Sequence, residues 1–394
     1  MKNKILCGDS LEVLKDFEDN YFDSVVTDPP YGLAFMGKKW DYDVPQVELW
    51  KEVYRVLKPG GHILSFAGSR TYHRMAVNIE DAGFEIRDML GWLYGSGFPK
   101  SHNIGKAVDK LQGNKRETLT EIQKENLFEK EKEIESVERC GENAIYGGIS
   151  GKNDLSGKYT TTKGNTEWEG WGTALKPAHE PIVMARKPFN TSVAENVLTH
   201  GTGGINIDEC RVGTDEIKEK TTTGGKKAFW NADGNNKGFQ RHSGNGTSHE
   251  QGRFPANIIH DGSEEVLEVF EESSRFFYCA KASKAERNMG LDDFPDKNDV
   301  TYAQDEWTKK NMNFRKNPIK NYHPTVKPIK LMEYLVRLVT PKEGIVLEPF
   351  AGSGTTLIAC KQQGFNYIGI EKEQEYCDIA EARLKGVQVQ GELF

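Results

Sequence analysis

The chain of 394 residues contains no apolar run of membrane-spanning length and no C-x-x-C pair. A helix that crosses a bilayer needs about 20 consecutive apolar residues, so no membrane partner is expected. The six cysteines, Cys7, Cys140, Cys210, Cys279, Cys360 and Cys377, match no metal-ligand spacing with histidine. Six reduced thiols and no metal site are therefore expected. Met1-Lys2-Asn3-Lys4 runs straight into an apolar strand pattern rather than a signal-peptide core, which points to a cytoplasmic protein. Excess positive charge is lacking too. The formal net charge is -7, so any contact with nucleic acid must come from local basic clusters. Apolar residues make up only 37% while glycine numbers 40, a balance that suggests a compact core with long polar excursions.

What is present at both ends is an alternation of strand and helix patterns. Ile5-Leu6-Cys7 reads as a strand, followed by a helix starting at Gly8-Asp9-Ser10. Ser24-Val25-Val26 is a second strand. Helical spacing covers Val47 to Leu57 and stops at Lys58-Pro59-Gly60-Gly61, with a strand expected from His62 to Ala67. A helix from Thr71 to Ala82 and a strand from Phe84 to Leu93 follow. Another strand is expected at His179 to Arg186. Near the C-terminus the order is helix Pro328 to Val339, strand Gly344 to Leu347, helix Thr355 to Gln363, strand Asn366 to Ile370 and helix Glu373 to Leu384. Such alternation predicts an α/β fold with a doubly wound, mostly parallel sheet. Residues 114–139 are dominated by Glu, Lys and Arg. Residues 141–172 and 199–255 are loop-like, rich in Gly and Asn.

Two short segments carry chemistry. Asp28-Pro29-Pro30-Tyr31 follows the second strand directly, and its prolines end the strand. A carboxylate, a proline carbonyl and a ring at a strand mouth suit a flat molecule with an exocyclic amine. The second segment is Glu348-Pro349-Phe350-Ala351-Gly352-Ser353-Gly354-Thr355, between a strand and a helix. Its glycines let backbone approach a ligand without a Cβ in the way. Glu371, 19 residues after Gly352, stands at the tip of the next strand, where an acid accepts hydrogen bonds from ribose hydroxyls. The turn lacks the third glycine of a dinucleotide fingerprint and the Gly-Lys-Ser/Thr of a phosphate loop. A nucleoside without a pyrophosphate, such as S-adenosylmethionine, fits better than NAD or ATP.

On these segments the chain resembles the β class of amino-group DNA methyltransferases. Asp28-Pro29-Pro30-Tyr31 resembles the catalytic motif of that family. Phe350-Ala351-Gly352-Ser353-Gly354-Thr355 resembles its cofactor motif. His323-Pro324-Thr325-Val326-Lys327-Pro328 resembles the segment that closes the cofactor pocket, and Gly8-Asp9-Ser10 a strand end whose acid faces the cofactor adenine. The resemblance implies a seven-stranded Rossmann-like methyltransferase sheet, circularly permuted in sequence, with S-adenosylmethionine as cofactor and double-stranded DNA as partner. It implies catalytic roles for Asp28, Pro29, Pro30 and Tyr31. It implies cofactor contacts from Asp9, Asp28, His323, Thr325, Lys327, Glu348, Phe350, Gly352, Gly354, Thr355 and Glu371. Residues 1–105 would form the catalytic half, 106–175 an insertion, 176–190 a late strand, 191–320 the target-recognition region and 321–394 the cofactor half. A homodimer and a cognate restriction endonuclease are further partners that the resemblance implies.

The expected reaction is methylation of adenine N6 in a flipped-out base. Asp28 favours adenine, because cytosine-N4 members of the family often carry Ser there. Cytosine-N4 methylation stays open as the alternative. A glutamine methyltransferase, a nucleic-acid-binding module with a vestigial cofactor site and a nicotinamide dehydrogenase are more distant readings. Lys281, Lys284 and Arg287 form one basic cluster. Lys309, Lys310, Arg315, Lys316 and Lys320, interleaved with Trp307, Phe314 and Tyr322, form another suited to phosphates and bases. Lys226, Lys227, Trp230, Lys237, Arg241 and Arg253 lie in the Gly/Asn-rich stretch. Ser101-His102-Asn103 is expected to line the target-base pocket.

Overall fold

The computed structural model describes residues 2–33, 39–95, 97, 101–118, 162–212, 252–263, 266, 277–294 and 320–387. Its framework is one nine-stranded sheet. In chain order the strands are β1 (Lys4–Cys7), β2 (Phe22–Thr27), β3 (Leu57–Phe66), β4 (Glu85–Leu93), β7 (His179–Arg186), β8 (Ile258–His260), β9 (Phe277–Tyr278), β10 (Ile345–Glu348) and β11 (Asn366–Glu371). A separate two-stranded ladder pairs β5 (Glu117–Thr118) with β6 (Thr162–Lys163). The large sheet runs β1-β11-β10-β2-β3-β7-β4-β8-β9. Only β7 is antiparallel to its neighbours β3 and β4; the other pairings are parallel. The sheet is thus mostly parallel as expected, with nine strands rather than seven. The two extra are the short β8 and β9, whose few residues carry too little periodicity to stand out in sequence.

Helices cover both faces. They are α1 (Ser10–Leu14), α2 (Val47–Val56), α3 (Tyr72–Asp81), α4 (Ile104–Gln112), α5 (Val193–His200), α6 (Lys284–Asn288), α7 (Ile329–Val339), α8 (Thr355–Gln363) and α9 (Gln374–Lys385). The period-2 alternation of a strand sends neighbouring residues to opposite faces. Val25, Ile63 and Val183 pack with Leu14, Trp50, Val53, Met75 and Ile79 from α1, α2 and α3. Val26, Leu64, Ile182 and Val346 pack with Leu331, Leu335, Leu357 and Ile358 from α7 and α8.

Two expectations need correction. Lys58-Pro59-Gly60-Gly61 does not separate helix from strand, because β3 already begins at Leu57. A register shift opposite Phe22/Ser24 and the positive φ of Gly60 (81°) absorb the turn residues into the strand. Cys7 and Cys377 are joined as a disulfide, with Cα atoms 6.2 Å apart. Their 370-residue separation conceals that β1 lies beside β11 and that α9 returns across it.

Lys187, just past β7, is buried. Its Nζ donates to the carbonyls of Tyr54 (2.7 Å) and Leu57 (2.7 Å) and to Asn20 Oδ1 (2.9 Å). It thereby satisfies acceptors that the end of α2 leaves open. Burial pushes its pKa down. Lys187→Met should lower stability by about 1–3 kcal/mol, the usual cost of stranding buried acceptors. Denaturant unfolding followed by circular dichroism measures it.

Candidate active site

In a parallel sheet the carboxyl ends of the strands share one edge, and ligands of open α/β sheets lie outside it. Asp28 stands one residue past β2, Glu348 ends β10 and Glu371 ends β11. Because β7 runs the other way, its first residues, His179 and Glu180, reach the same edge.

The tetrapeptide is held from two sides. Tyr31 donates its hydroxyl to Asp28 Oδ1 at 2.7 Å. Buried Asp41 accepts the backbone amides of Tyr31 (2.6 Å), Gly32 (3.1 Å) and Leu33 (3.3 Å). These bonds fold the chain around one carboxylate, with Gly32 at a φ of 67°. Asp41 ends a single 3-10 turn, Lys39–Asp41, and an acid there carries no periodic signal in the sequence.

Lys327 reaches Asp28 Oδ2 at 2.6 Å and the Tyr31 hydroxyl at 3.1 Å. Glu180 Oε2 lies 3.4 Å from the same ammonium. Tyr94 donates to Glu180 Oε1 at 3.1 Å. Burial alone would depress the pKa of Lys327, but the charges of Asp28 and Glu180 outweigh it and hold that pKa above the ordinary lysine value. Lys327, expected among the cofactor contacts, is thus directed at the catalytic motif. Glu180 had no expected role; its sequence signal is an acid inside an otherwise apolar strand.

The glycine turn is built from close approaches. Gly352 and Gly354 have φ values of 51° and 79°. A Cβ on Gly352 would stand 2.8 Å from His323 Nε2, and one on Gly354 would stand 2.9 Å from Ala380 Cβ. Gly352 N donates to Glu371 Oε2 at 2.7 Å, and Glu373 N to Glu371 Oε1 at 2.9 Å. Burial raises the pKa of Glu371. Fully buried Arg383 in α9 donates to Ser353 O (2.6 Å), Ser353 Oγ (3.0 Å) and Thr355 Oγ1 (3.2 Å). Burial pushes its pKa down to about 10. Arg383 reads in sequence as one more exposed helix charge; only the packing of α9 on the turn shows otherwise.

Buried Glu348 accepts from the hydroxyls of Thr27 and Thr356 (2.6 Å) and from Phe350 N (3.0 Å). Burial dominates these bonds and lifts its pKa to about 8. His323 Nδ1 meets the Thr325 carbonyl at 2.7 Å, and its ring lies edge-on to Tyr376 at 4.6 Å. Burial lowers its pKa to about 4, so the ring is neutral near pH 7. Asp9 caps α1 through Leu11 N (3.1 Å) and pairs with Lys372 at 3.0 Å.

Most of these groups line one cavity of about 770 Å³. Its wall includes Asp9, Asp28, Pro29, Pro30, Tyr31, His323, Thr325, Lys327, Glu348, Phe350, Gly352, Thr355 and Glu371, together with Trp40, Asp41, Tyr94, His179, Glu180 and Tyr376. Among the residues expected to be catalytic or to touch the cofactor, Gly354 alone stands outside the wall, turned instead against Ala380. Ser101, His102 and Asn103 do not line it. Asn103 caps α4 through Lys106 N (2.8 Å), and Ser101 Oγ and the His102 amide bond to Thr173 at 3.0 and 2.9 Å. Of the first basic cluster, Lys281 lies 3.6 Å over the Tyr94 ring and Arg287 donates to the His323 carbonyl at 3.0 Å. Lys309, Lys310, Arg315 and Lys316, with Trp307 and Phe314, and also Lys226, Lys227, Trp230, Lys237 and Arg241, fall outside the described residues.

The family model described as DNA methylase, that of the N6/N4 methyltransferases, matches residues 22–382. The chain belongs to the DNA methylase family. This methylase is 27% identical over 342 residues to the type II methyltransferase M.HindIII of Haemophilus influenzae, covering 86% of this chain and 68% of that enzyme. Its likeness to M.HinfI of the same species is local, 44% identity over 69 residues, or 18% of this chain and 19% of that one. Among solved structures, the PvuII DNA methyltransferase (cytosine-N4-specific) is similar with a TM-score of 0.46 at 14% identity, covering 99% and 87% of the two chains. The M1.HpyAVI–SAM complex gives 0.41 at 17% identity, covering 97% and 98%. At these scores the architecture of the methylase rests on its own sheet order.

The state of Glu348 sets a pH dependence. Its pKa is about 8 when folded against an ordinary 4.5, so the folded chain binds this proton more tightly. The resulting stabilisation is fully present below the ordinary value and is lost as pH rises through about 8. Glu348→Gln, which resembles the protonated form, should flatten the fall of the melting temperature across this range, as differential scanning calorimetry would record.

Proposed function

We propose that this methylase is a site-specific DNA methyltransferase that moves a methyl group from S-adenosylmethionine to N6 of adenine in a flipped-out base. The observation that carries this reading is that Asp28 and Glu371, on opposite ends of the chain, line the same cavity. The cavity wall suits the cofactor: bare backbone at Gly352, where a Cβ would collide with His323, and the Glu371 carboxylate. S-adenosylmethionine, when bound, supplies an electrophilic methyl group on a sulfonium.

The chain's part is to bind and orient. Glu371 accepts from ribose hydroxyls. Asp28 and the Pro29 carbonyl accept the two N–H groups of the target amine, which aims its lone pair along the line of transfer. Charged acceptors make the stronger bonds, and such positioning supplies up to roughly 7–11 kcal/mol of the barrier reduction. The amine nitrogen gains one bond to the methyl carbon as that carbon's bond to sulfur breaks, the bond electrons staying on sulfur, and it gives up one proton, with the Asp28 carboxylate placed to hold it. An amine paired in a duplex is out of reach, so the base must be extruded. The Tyr31 ring offers a stacking surface worth roughly 1–3 kcal/mol.

Adenine is preferred to cytosine because Asp28 stands where cytosine members of the family often carry Ser. We assign target recognition to residues 191–320, the catalytic half to 1–105 and the cofactor half to 321–394. Residues 106–175 form an insertion, and 176–190 supply a late strand of the sheet. Among the described residues no helix is long and apolar enough to cross a membrane. With DNA as substrate, the enzyme is assigned to the cytoplasm.

Nucleoside mass spectrometry of treated DNA tests the base. N6-methyladenine is expected; N4-methylcytosine alone would overturn the adenine assignment. Asp28→Ala should abolish transfer while S-adenosylmethionine still binds in calorimetry. Glu371→Ala should weaken that binding by about tenfold or more, the worth of a hydrogen bond to a charged group; an unchanged Kd would place the nucleoside elsewhere.

A further inference from the structure

Both oxygens of the Asp28 carboxylate are already engaged by the protein. Oδ1 takes the Tyr31 hydroxyl at 2.7 Å and Oδ2 takes the Lys327 ammonium at 2.6 Å. A lysine ammonium has three donors and a full positive charge. It is a far stronger partner for Asp28 than the neutral amine of a base, so while it sits on Oδ2 it competes with the substrate for the catalytic acceptor.

The same ammonium has a second anionic partner within reach. Glu180 Oε2 lies 3.4 Å away, is buried and carries no hydrogen bond among the described residues. The other oxygen of Glu180 is held by Tyr94 at 3.1 Å, which fixes the carboxylate in place. Glu180 is anchored on β7, whereas Lys327 has a flexible four-carbon stem, so the lysine is the group that can move. A shift of its tip toward Glu180 keeps the charge paired. It avoids the several kcal/mol that an unpaired buried ion costs.

We propose that Lys327 is a positioning residue that passes from Asp28 to Glu180 when the target base enters, and that Glu180 is the station that frees the catalytic carboxylate. The inference rests on the reading of Asp28 as the clamp on the target amine. Before the base arrives, Lys327 neutralises Asp28 inside the cavity. Once the base is seated, Asp28 faces the amine without its counter-ion. The cation rests on Glu180, which the Tyr94 hydroxyl holds in place.

The test uses the full chain and a duplex bearing its target site, located by sequencing of modified bases. A 2-aminopurine takes the place of the base next to the target, which keeps its own exocyclic amine, and brightens when the target leaves the stack. Fluorescence then reports base capture independently of turnover. Glu180→Gln keeps the shape of the side chain but removes the second anionic station. It should weaken base capture by roughly tenfold, with S-adenosylmethionine binding unchanged in calorimetry. In a Lys327→Met background, where nothing competes for Asp28, adding Glu180→Gln should cost no further capture. If Lys327→Met does not fold, Lys327→Gln takes its place. Wild-type capture by Glu180→Gln, or equal losses from Glu180→Gln with and without Lys327, would overturn the proposal. A wild-type enzyme that neither methylates DNA nor brightens the probe would instead overturn the reading of Asp28 on which it rests.

Discussion

A parallel sheet gathers the carboxyl ends of its strands on one edge, and the acids Asp28, Glu348 and Glu371 of this methylase's cavity hang from that edge. Asp28, Glu348 and Glu371 follow three adjacent strands in the order β2, β10, β11. The strands are short, the register is pinned by apolar side chains on both faces, and a slip of one residue would turn each acid toward the core. The position of the acids is therefore a consequence of core packing by Val25, Leu347, Ile368 and their neighbours. The reversal of β7 belongs to the same constraint, since it delivers Glu180 to the edge from the start of a strand rather than its end.

Charge inside the cavity is managed residue by residue. Glu348 is buried among hydroxyls and an amide, and its raised pKa keeps it largely protonated at neutral pH. Arg383 is buried against carbonyl and hydroxyl oxygens of the glycine turn and braces it. Lys327, Asp28 and Glu180 form a buried cation between two acids. One positive charge shared by two carboxylates is an arrangement that can change partners at low cost, unlike a closed pair. The cavity thus has a rigid end at the glycine turn and an adjustable end at the tetrapeptide.

Most of the framework was legible from the chain. β7 falls on His179–Arg186 as read from its apolar run, and α8 on Thr355–Gln363 between its glycines. Long periodic segments announce themselves because burial imposes the period. The short β8 and β9 did not, nor did the continuation of β3 through Pro59 and Gly60, because turn residues there are absorbed by a bulge. Of the site, the acids and glycines at strand ends were visible as local motifs, and all but Gly354 line the cavity.

By itself, the sequence determined the alternating α/β texture, the tetrapeptide at one strand mouth and the glycine turn with its acid at another. Local patterns encode those because each depends on neighbours a few residues away. Only the tertiary structure decided that the two motifs line one cavity, that Lys327 is paired with Asp28 rather than directed at the glycine turn, and that Asp41, Glu180 and Arg383 belong to the site. Those contacts join residues 10 to roughly 300 positions apart. Such pairings are set by strand order and helix packing, quantities no short stretch of chain contains.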